Sequence, residues 1–185
     1  MRDDERSDAV LSDEELVSRG RSGDDSALSA LVKRHHESLY RVALSILNDG
    51  DAAQDVVQDA FMKAFRALEG FRGDASFRTW ALTIAANEAR GAVRRRGRRR
   101  ETVLDDSVPL ASEERAPDEA AVLGAEAARA RRMMEELPEK QKLSVALRIE
   151  EGLSFKEIGE IIGSSEGAAR VNYFHGIRRL RELME

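Results

Sequence analysis

Residues 152–184 read GLSFKEIGEIIGSSEGAARVNYFHGIRRLRELM, and the spacing of their apolar and glycine positions decides the fold. Phe155, Ile158, Ile161 and Ile162 stand three or four apart behind a capping Ser154, which predicts a short helix that stops at Gly163. Ser164 or Ser165 then caps a last helix, along which Val171, Phe174, Ile177, Leu180 and Met184 recur as the expected buried stripe. Arg170, Asn172, Tyr173, His175, Arg178 and Arg179 fall largely off that stripe. Two helices joined across a Gly-Ser-Ser turn predict a helix-turn-helix. Such a pair reads duplex DNA when its second helix enters the major groove, and it also occurs as a plain packing unit. The residue types suit the first use. Ser164, Ser165 and the free N–H groups at the helix start can meet a phosphate, Arg170, Asn172 and Tyr173 can reach base edges, and Arg178 and Arg179 can meet phosphates.

Upstream, Pro138 in Leu137-Pro138-Glu139 sits where its missing N–H is harmless and opens another helix, with Leu143, Ala146, Leu147 and Ile149 on its apolar side and Gly152 ending it. Residues 101–125 hold Pro109, Pro117, scattered serines and mostly acidic charge with no apolar period, which predicts a flexible linker. Before it, Leu28, Leu31, Val32, Leu39, Val42 and Ile46 mark one long helix. After the turn Asn48-Asp49-Gly50-Asp51, Val56, Val57, Ala60, Phe61, Ala64, Phe65 and Leu68 mark a second, broken by Gly70 and Gly73. Phe77, Trp80, Ala81, Ile84 and Ala85 begin a third, capped by Ser76. Nothing in 16–100 reads as a strand. The expected fold is all-α: an acidic tail at 1–15, a helical domain at 16–100, the acidic linker at 101–125 and a helix-turn-helix domain at 126–185.

The 185 residues carry a net charge of −5, with 35% charged and 5% aromatic residues and no cysteine. That excludes a disulfide framework, a thiolate metal site and a cysteine nucleophile, and no apolar run reaches the roughly 18 residues of a membrane span. An acidic start without an apolar core argues against a secretory signal, so a cytoplasmic location is expected. The average charge conceals a pattern: −5 in 1–15, +6 in 16–100, −6 in 101–125 and 0 in 126–185. Arg90, Arg94, Arg95, Arg96, Arg98, Arg99 and Arg100 concentrate the positive charge, either as a solvated helix end or as a nucleic-acid contact.

Three stretches together, DAAQDVVQDAFMKAF at 51–65, FRGDASFRTWALTIAANEAR at 71–90 and LPEKQKLSVALRIEEGLSFKEIGEIIGSSEGAARVNYFHGIRRLREL at 137–183, resemble the compact extracytoplasmic-function group of bacterial RNA polymerase sigma factors. The likeness covers about 12–100 and 130–184. It implies a region 2 domain, a region 4 domain and no separate region 3. It further implies that Asp55, Val56, Gln58, Asp59, Phe61 and Met62 dock on the β′ clamp helices of core polymerase, although Phe61 reads equally as core. Phe71, Arg72, Asp74, Ser76 and Phe77 would surround a pocket for a base flipped from the −10 element. Thr79, Trp80, Thr83, Asn87 and Arg90 would follow on the next helix, with burial an equal reading for Trp80. In region 4, Arg170, Asn172, Tyr173, His175 and Arg178 are implied as contacts to the −35 element. Many relatives carry a basic residue where Asn172 and Gly176 to Ile177 stand, so the resemblance implies no specific −35 sequence; they often carry alanine where Gly159 stands, which puts local helix stability in question. The implied partners are core polymerase, through β′ clamp helices and β flap, promoter DNA and an anti-sigma factor. The acidic linker would either thread the polymerase or act as a plain tether.

No cofactor or catalytic residue is expected. His35 and His36 are adjacent and point to different sides of a helix, and His175 has no partner at ligand spacing. Asp51, Asp55 and Asp59 share a helical face that reads as solvated or partner-facing rather than metal-binding. The competing function is a helix-turn-helix regulator that binds duplex DNA without polymerase.

Overall fold

The computed structural model describes residues 11–102, 129 and 132–184. Its elements are α1 (Asp13–Arg21), α2 (Asp25–Leu47), α3 (Gly50–Arg66), a 3-10 turn (Leu68–Gly70), α4 (Phe77–Thr102), α5 (Glu139–Ile149), α6 (Phe155–Ile162) and α7 (Glu166–Met184). No strand occurs among the described residues. The acidic linker and the first ten residues lie outside them.

α1 begins inside the segment read as an acidic tail. Ser12 and Glu15 form a reciprocal capping box, and Leu16 and Val17 are buried. The S-x-x-E signal at 12–15 could have revealed it. Asp24 caps α2 through Ser26 and Ala27 N–H, and hydrogen bonds from Ser26 and then Arg19 bring its carboxyl to about 2. Asn48 ends α2 in a left-handed conformation, and Asp49 accepts from Ala52 N to start α3. α2 is the axis of the N-terminal domain, packing against α1, α3 and α4. Leu31, Leu39, Val57 and Leu82 are fully buried there, each worth about 1.5–3 kcal/mol on transfer from water.

The C-terminal domain is built from α5, α6 and α7, with Leu143, Leu147, Ile158, Ile161 and Ile162 at its centre. Gly163 is left-handed and ends α6, and Ser165, not Ser164, caps α7 by accepting from Ala168 N at 3.2 Å. Gly159 removes the question raised over it: a Cβ there would stand 2.9 Å from Ser164 O, so the missing side chain lets the turn close on α6.

The expected stripe of α7 is displaced. Val171 (55%) and Phe174 (60%) are exposed, as is Met184, while Ala169 and Gly176 are buried and Asn172, Tyr173 and Leu180 half-buried beside them. Helical spacing is kept, but the packed face is centred on Ala169 and Gly176 and shares only the half-buried Ile177 and Leu180 with the expected stripe. The cause is close packing on α5: a Cβ at Gly176 would come 2.7 Å from Val145 Cγ2. Asn172 tolerates its half-buried place by donating to Ala168 O at 2.8 Å.

The domains also pack together, α4 on α6 and α2 on α5.

Candidate nucleic-acid and polymerase interfaces

Three surfaces carry the expected residues. On α3, Asp55, Gln58, Asp59 and Met62 fall at i, i+3, i+4 and i+7 and are exposed, Met62 by 48%. Val56 and Phe61 point the other way into the core, with Phe61 5.8 Å from Phe65 between ring centroids. They are corrected from docking residues to the packing that holds the stripe outward. Asp51 is exposed too, and among the described residues no three acidic or histidine side chains converge as a metal site.

The second surface surrounds the loop at 71–76. Arg21 of α1 anchors its start, donating to Leu68 O at 3.0 Å and to Phe71 O. Ser76 caps α4 by accepting from Thr79 N at 3.1 Å. Phe71 lies against Trp80 with centroids 4.8 Å apart, and Phe77 meets both rings edge-on at 6.2 and 5.9 Å. Trp80 is half-buried and Phe77 buried. A cavity of about 280 Å³ opens between this loop and α1, lined by Phe71, Asp74, Ser76 and Phe77 together with Asp13, Glu14 and Val17. The α1 residues were not anticipated. Asp13 also receives His35 Nε2 at 2.8 Å and Arg34 at 2.7 Å; burial raises its carboxyl, and those hydrogen bonds outweigh burial and hold it below the ordinary range. Arg72 and Asp74 form an exposed pair at 3.1 Å.

Along α4 the expected residues divide. Asn87 is exposed and Thr83 half-buried, donating to Thr79 O at 2.8 Å. Thr79 is fully buried against the C-terminal domain, donating to Glu157 Oε1 at 3.0 Å. Arg90 donates to Glu139 at 2.8 Å and to Ile161 O at 3.2 Å, and its Nη2 is buried with no partner. Of the arginine run, Arg94, Arg95, Arg96 and Arg98 are exposed, and Arg96 pairs with Asp49 at 2.8 Å.

The third surface is α7. Arg170 pairs with Glu166 at 3.1 Å and lies 5.0 Å over the Phe155 ring, which Arg148 covers at 4.9 Å. Tyr173 packs edge-on against Phe155 at 5.5 Å. His175, Arg178 and Arg179 are exposed, and both arginines reach Glu182 at 3.3 Å. Asn172, turned back on its own helix, is the least available of the expected readers. Val171 and Phe174 are exposed among them, and the periodicity had assigned both to the core.

Comparison with known proteins identifies the fold and the family. Residues 31–99 match the model of Sigma-70 region 2, and 127–180 that of Sigma-70, region 4. The chain is 32% identical over 181 residues to the RNA polymerase sigma-H factor of Pseudomonas aeruginosa, covering 94% of this chain and 92% of the relative. It is 34% identical over 183 residues to the ECF RNA polymerase sigma-E factor of Escherichia coli K12, covering 95% and 93%. Among solved structures it is similar to CnrH in complex with the cytosolic domain of CnrY, with a TM-score of 0.69 and 27% identity, covering 93% of this chain and 96% of the other. The fold is also similar to the sigma factor RpoE of Bartonella quintana, solved with the anti-sigma factor NepR, with a TM-score of 0.66 and 23% identity, covering 84% and 95%. Sequence over nearly its whole length, two helical domains and a C-terminal helix-turn-helix therefore place the chain in the extracytoplasmic-function family of sigma factors, non-enzymatic subunits that bind core RNA polymerase and direct it to promoters.

Proposed function

We propose that the three surfaces divide the work of initiation. The exposed stripe Asp55, Gln58, Asp59 and Met62 docks on the β′ clamp helices. The loop at 71–76 with α4 opens and reads the −10 element. The start of α7 reads the −35 element in duplex form, and the C-terminal domain meets the β flap. The observation that carries this reading is the aromatic-floored cavity beside the capped start of α4. Unpairing a base costs a few kcal/mol, and stacking on an aromatic returns about 1–3 kcal/mol per base. The carboxylates of Asp13, Glu14 and Asp74 supply hydrogen-bond acceptors, which suits a base presenting an exocyclic amine.

An anti-sigma partner, implied by family membership, and a cytoplasmic site of action complete the proposal. No helix among the described residues is long and apolar enough to cross a membrane. The test is permanganate footprinting of a mapped promoter with core polymerase. Asn87→Ala is expected to weaken strand opening while polymerase binding is retained. Normal opening would remove Asn87 from the −10 surface. Pull-down with core polymerase tests the α3 stripe through Asp55→Ala and Asp59→Ala, which are expected to weaken the complex.

A further inference from the structure

Glu151 belongs to the C-terminal domain, and its carboxylate is sunk into the N-terminal domain with its side chain 4% exposed. It leaves the end of α5, where left-handed Gly152 turns the chain back so that Leu153 is buried. Ser38 Oγ donates to Oε2 at 2.7 Å and Arg41 Nε to Oε1 at 2.9 Å. Arg78 binds Oε2 as well, and its Nη1 donates to the backbone oxygen of Glu151 at 3.1 Å. Two guanidinium groups and a hydroxyl from α2 and α4 thus converge on one carboxylate. Arginine forks of this kind accept carboxylate and phosphate oxygens alike.

The cradle adjoins the −10 surface. Arg78 precedes Thr79, whose hydroxyl is held by Glu157, and one end of the same interface engages Arg90 through Glu139 and Ile161 O. These polar bonds lie beside apolar packing that joins the two domains in one buried cluster; contacts between domains of one chain still separate and re-form more readily than a domain core. The polar bonds also leave Arg90 Nη2 buried and unpaired, an unmet donor in the closed arrangement.

We propose that Ser38, Arg41 and Arg78 form a binding site for a backbone phosphate of promoter DNA, and that Glu151 occupies it as a stand-in when the two domains are closed. Closure and DNA binding then compete for the same three side chains. DNA that captures the cradle also frees Thr79 and Arg90, so docking of one phosphate and exposure of the −10 surface are coupled. This inference rests on the proposed role of α4.

The test measures binding of a fluorescein-labelled, random-sequence 20-nucleotide single-stranded DNA to the full chain by anisotropy at several salt concentrations. Small-angle scattering of the free chain reads domain closure separately. Glu151→Gln is expected to enlarge the free chain and tighten binding by roughly 5- to 150-fold, the span of ordinary coupling between sites. Glu160→Gln, which removes an exposed charge on α6 from the same domain, controls for charge alone and is expected to change neither. Adding Arg41→Ala and Arg78→Ala to Glu151→Gln is expected to abolish the gain and to lower the salt slope by about 0.7, one phosphate on a single strand.

A gain for Glu151→Gln no larger than for Glu160→Gln overturns the proposal. So does a gain that survives loss of both arginines, because the cradle would not be its source. Glu139→Gln loosens the same interface at Arg90 without touching the cradle, so a smaller gain in the same direction is expected even if Glu151→Gln folds poorly; a gain no larger than that of Glu160→Gln overturns the competition. Asn87→Ala in the Glu151→Gln chain separates the two readings: unaltered binding there, with the arginine effect intact, rejects base reading by the Asn87 face of α4 and leaves the phosphate site standing.

Discussion

The two helices expected to meet DNA stand in opposite states. α7 presents Arg170, His175, Arg178 and Arg179 to solvent, while α4 has Thr79 and Arg90 engaged by the other domain and Asn87 exposed beside them. On α7 the arginines pair only with carboxylates of their own helix at the surface, whereas on α4 the partners come from the other domain. The difference lies in their neighbours: α7 packs on α5 and α6 of its own domain, whereas α4 is flanked by its own domain on one side and by α6 on the other. A duplex-reading helix can stay available at all times. A surface that binds unpaired bases gains from being covered until its partner arrives, because exposed aromatics and arginines bind nucleic acid with little sequence preference.

Breaking the comparison from the α4 side carries the largest expected effect. Phe77→Ala removes the buried ring shared by Phe71, Trp80 and His35 and is expected to cost about 3–5 kcal/mol in urea denaturation followed by circular dichroism. A loss below about 1 kcal/mol would mean that this cluster does not support the loop. On the α7 side, Gly176→Val forces a side chain against Val145 and Gln141 and is expected to cost about 1–3 kcal/mol by the same measurement. Unchanged stability would show that α7 can shift away from α5. Arg178→Ala is expected to leave stability intact and to flatten the salt dependence of duplex binding by about one unit. An unaltered slope would remove Arg178 from the phosphate contacts.

The smallest effect sharpens the comparison through pH. Burial raises the Glu151 carboxyl, but hydrogen bonds from Ser38 and Arg41, the Arg41 charge and Arg78 outweigh it and hold it below the ordinary range. Glu157 is also lowered: burial acts upward and is exceeded by hydrogen bonds from Ser154 and Thr79 and by the Arg78 charge. Each folded value lies below its unfolded one, so the stabilisation of closure is complete above about pH 4.3, the unperturbed glutamate value, and is lost as pH falls through the depressed values. Scattering of the wild-type chain is expected to show expansion only in that acid window. Glu151→Gln is expected to be expanded already at neutral pH, and a compact mutant would break the link between this carboxylate and closure.

Much of the fold was legible in the sequence because capping residues and apolar spacing act locally. Ser154, Gly163 and Asp49 stop or start helices through bonds to residues at most a turn away. Two features escaped. The start of α1 coincides with an acidic segment because Asp13, Glu14 and Glu15 occupy its first turn, where negative charge suits a helix N-terminus as well as an unstructured tail. The packed face of α7 escaped because glycine and alanine make it, and these carry little hydrophobic signal while allowing the closest approach. At the candidate sites, the exposed stripe of α3 follows from helical spacing once Val56 and Phe61 are given to the core. The contribution of Asp13 and Glu14 to the cavity does not, since it joins residues about sixty positions apart.

The sequence alone determined an all-α chain with a helix-turn-helix and a family likeness in the order of its three motifs, since these depend on short-range spacing. Tertiary structure alone decided which members of those motifs face outward and which are already occupied. Glu151 reads as one more acid at a helix end; only packing between domains brings Ser38 and Arg41, more than a hundred positions away, to its carboxylate. Buried charge must be paired to be tolerated, and which distant cation meets it is fixed by the fold rather than by any local rule.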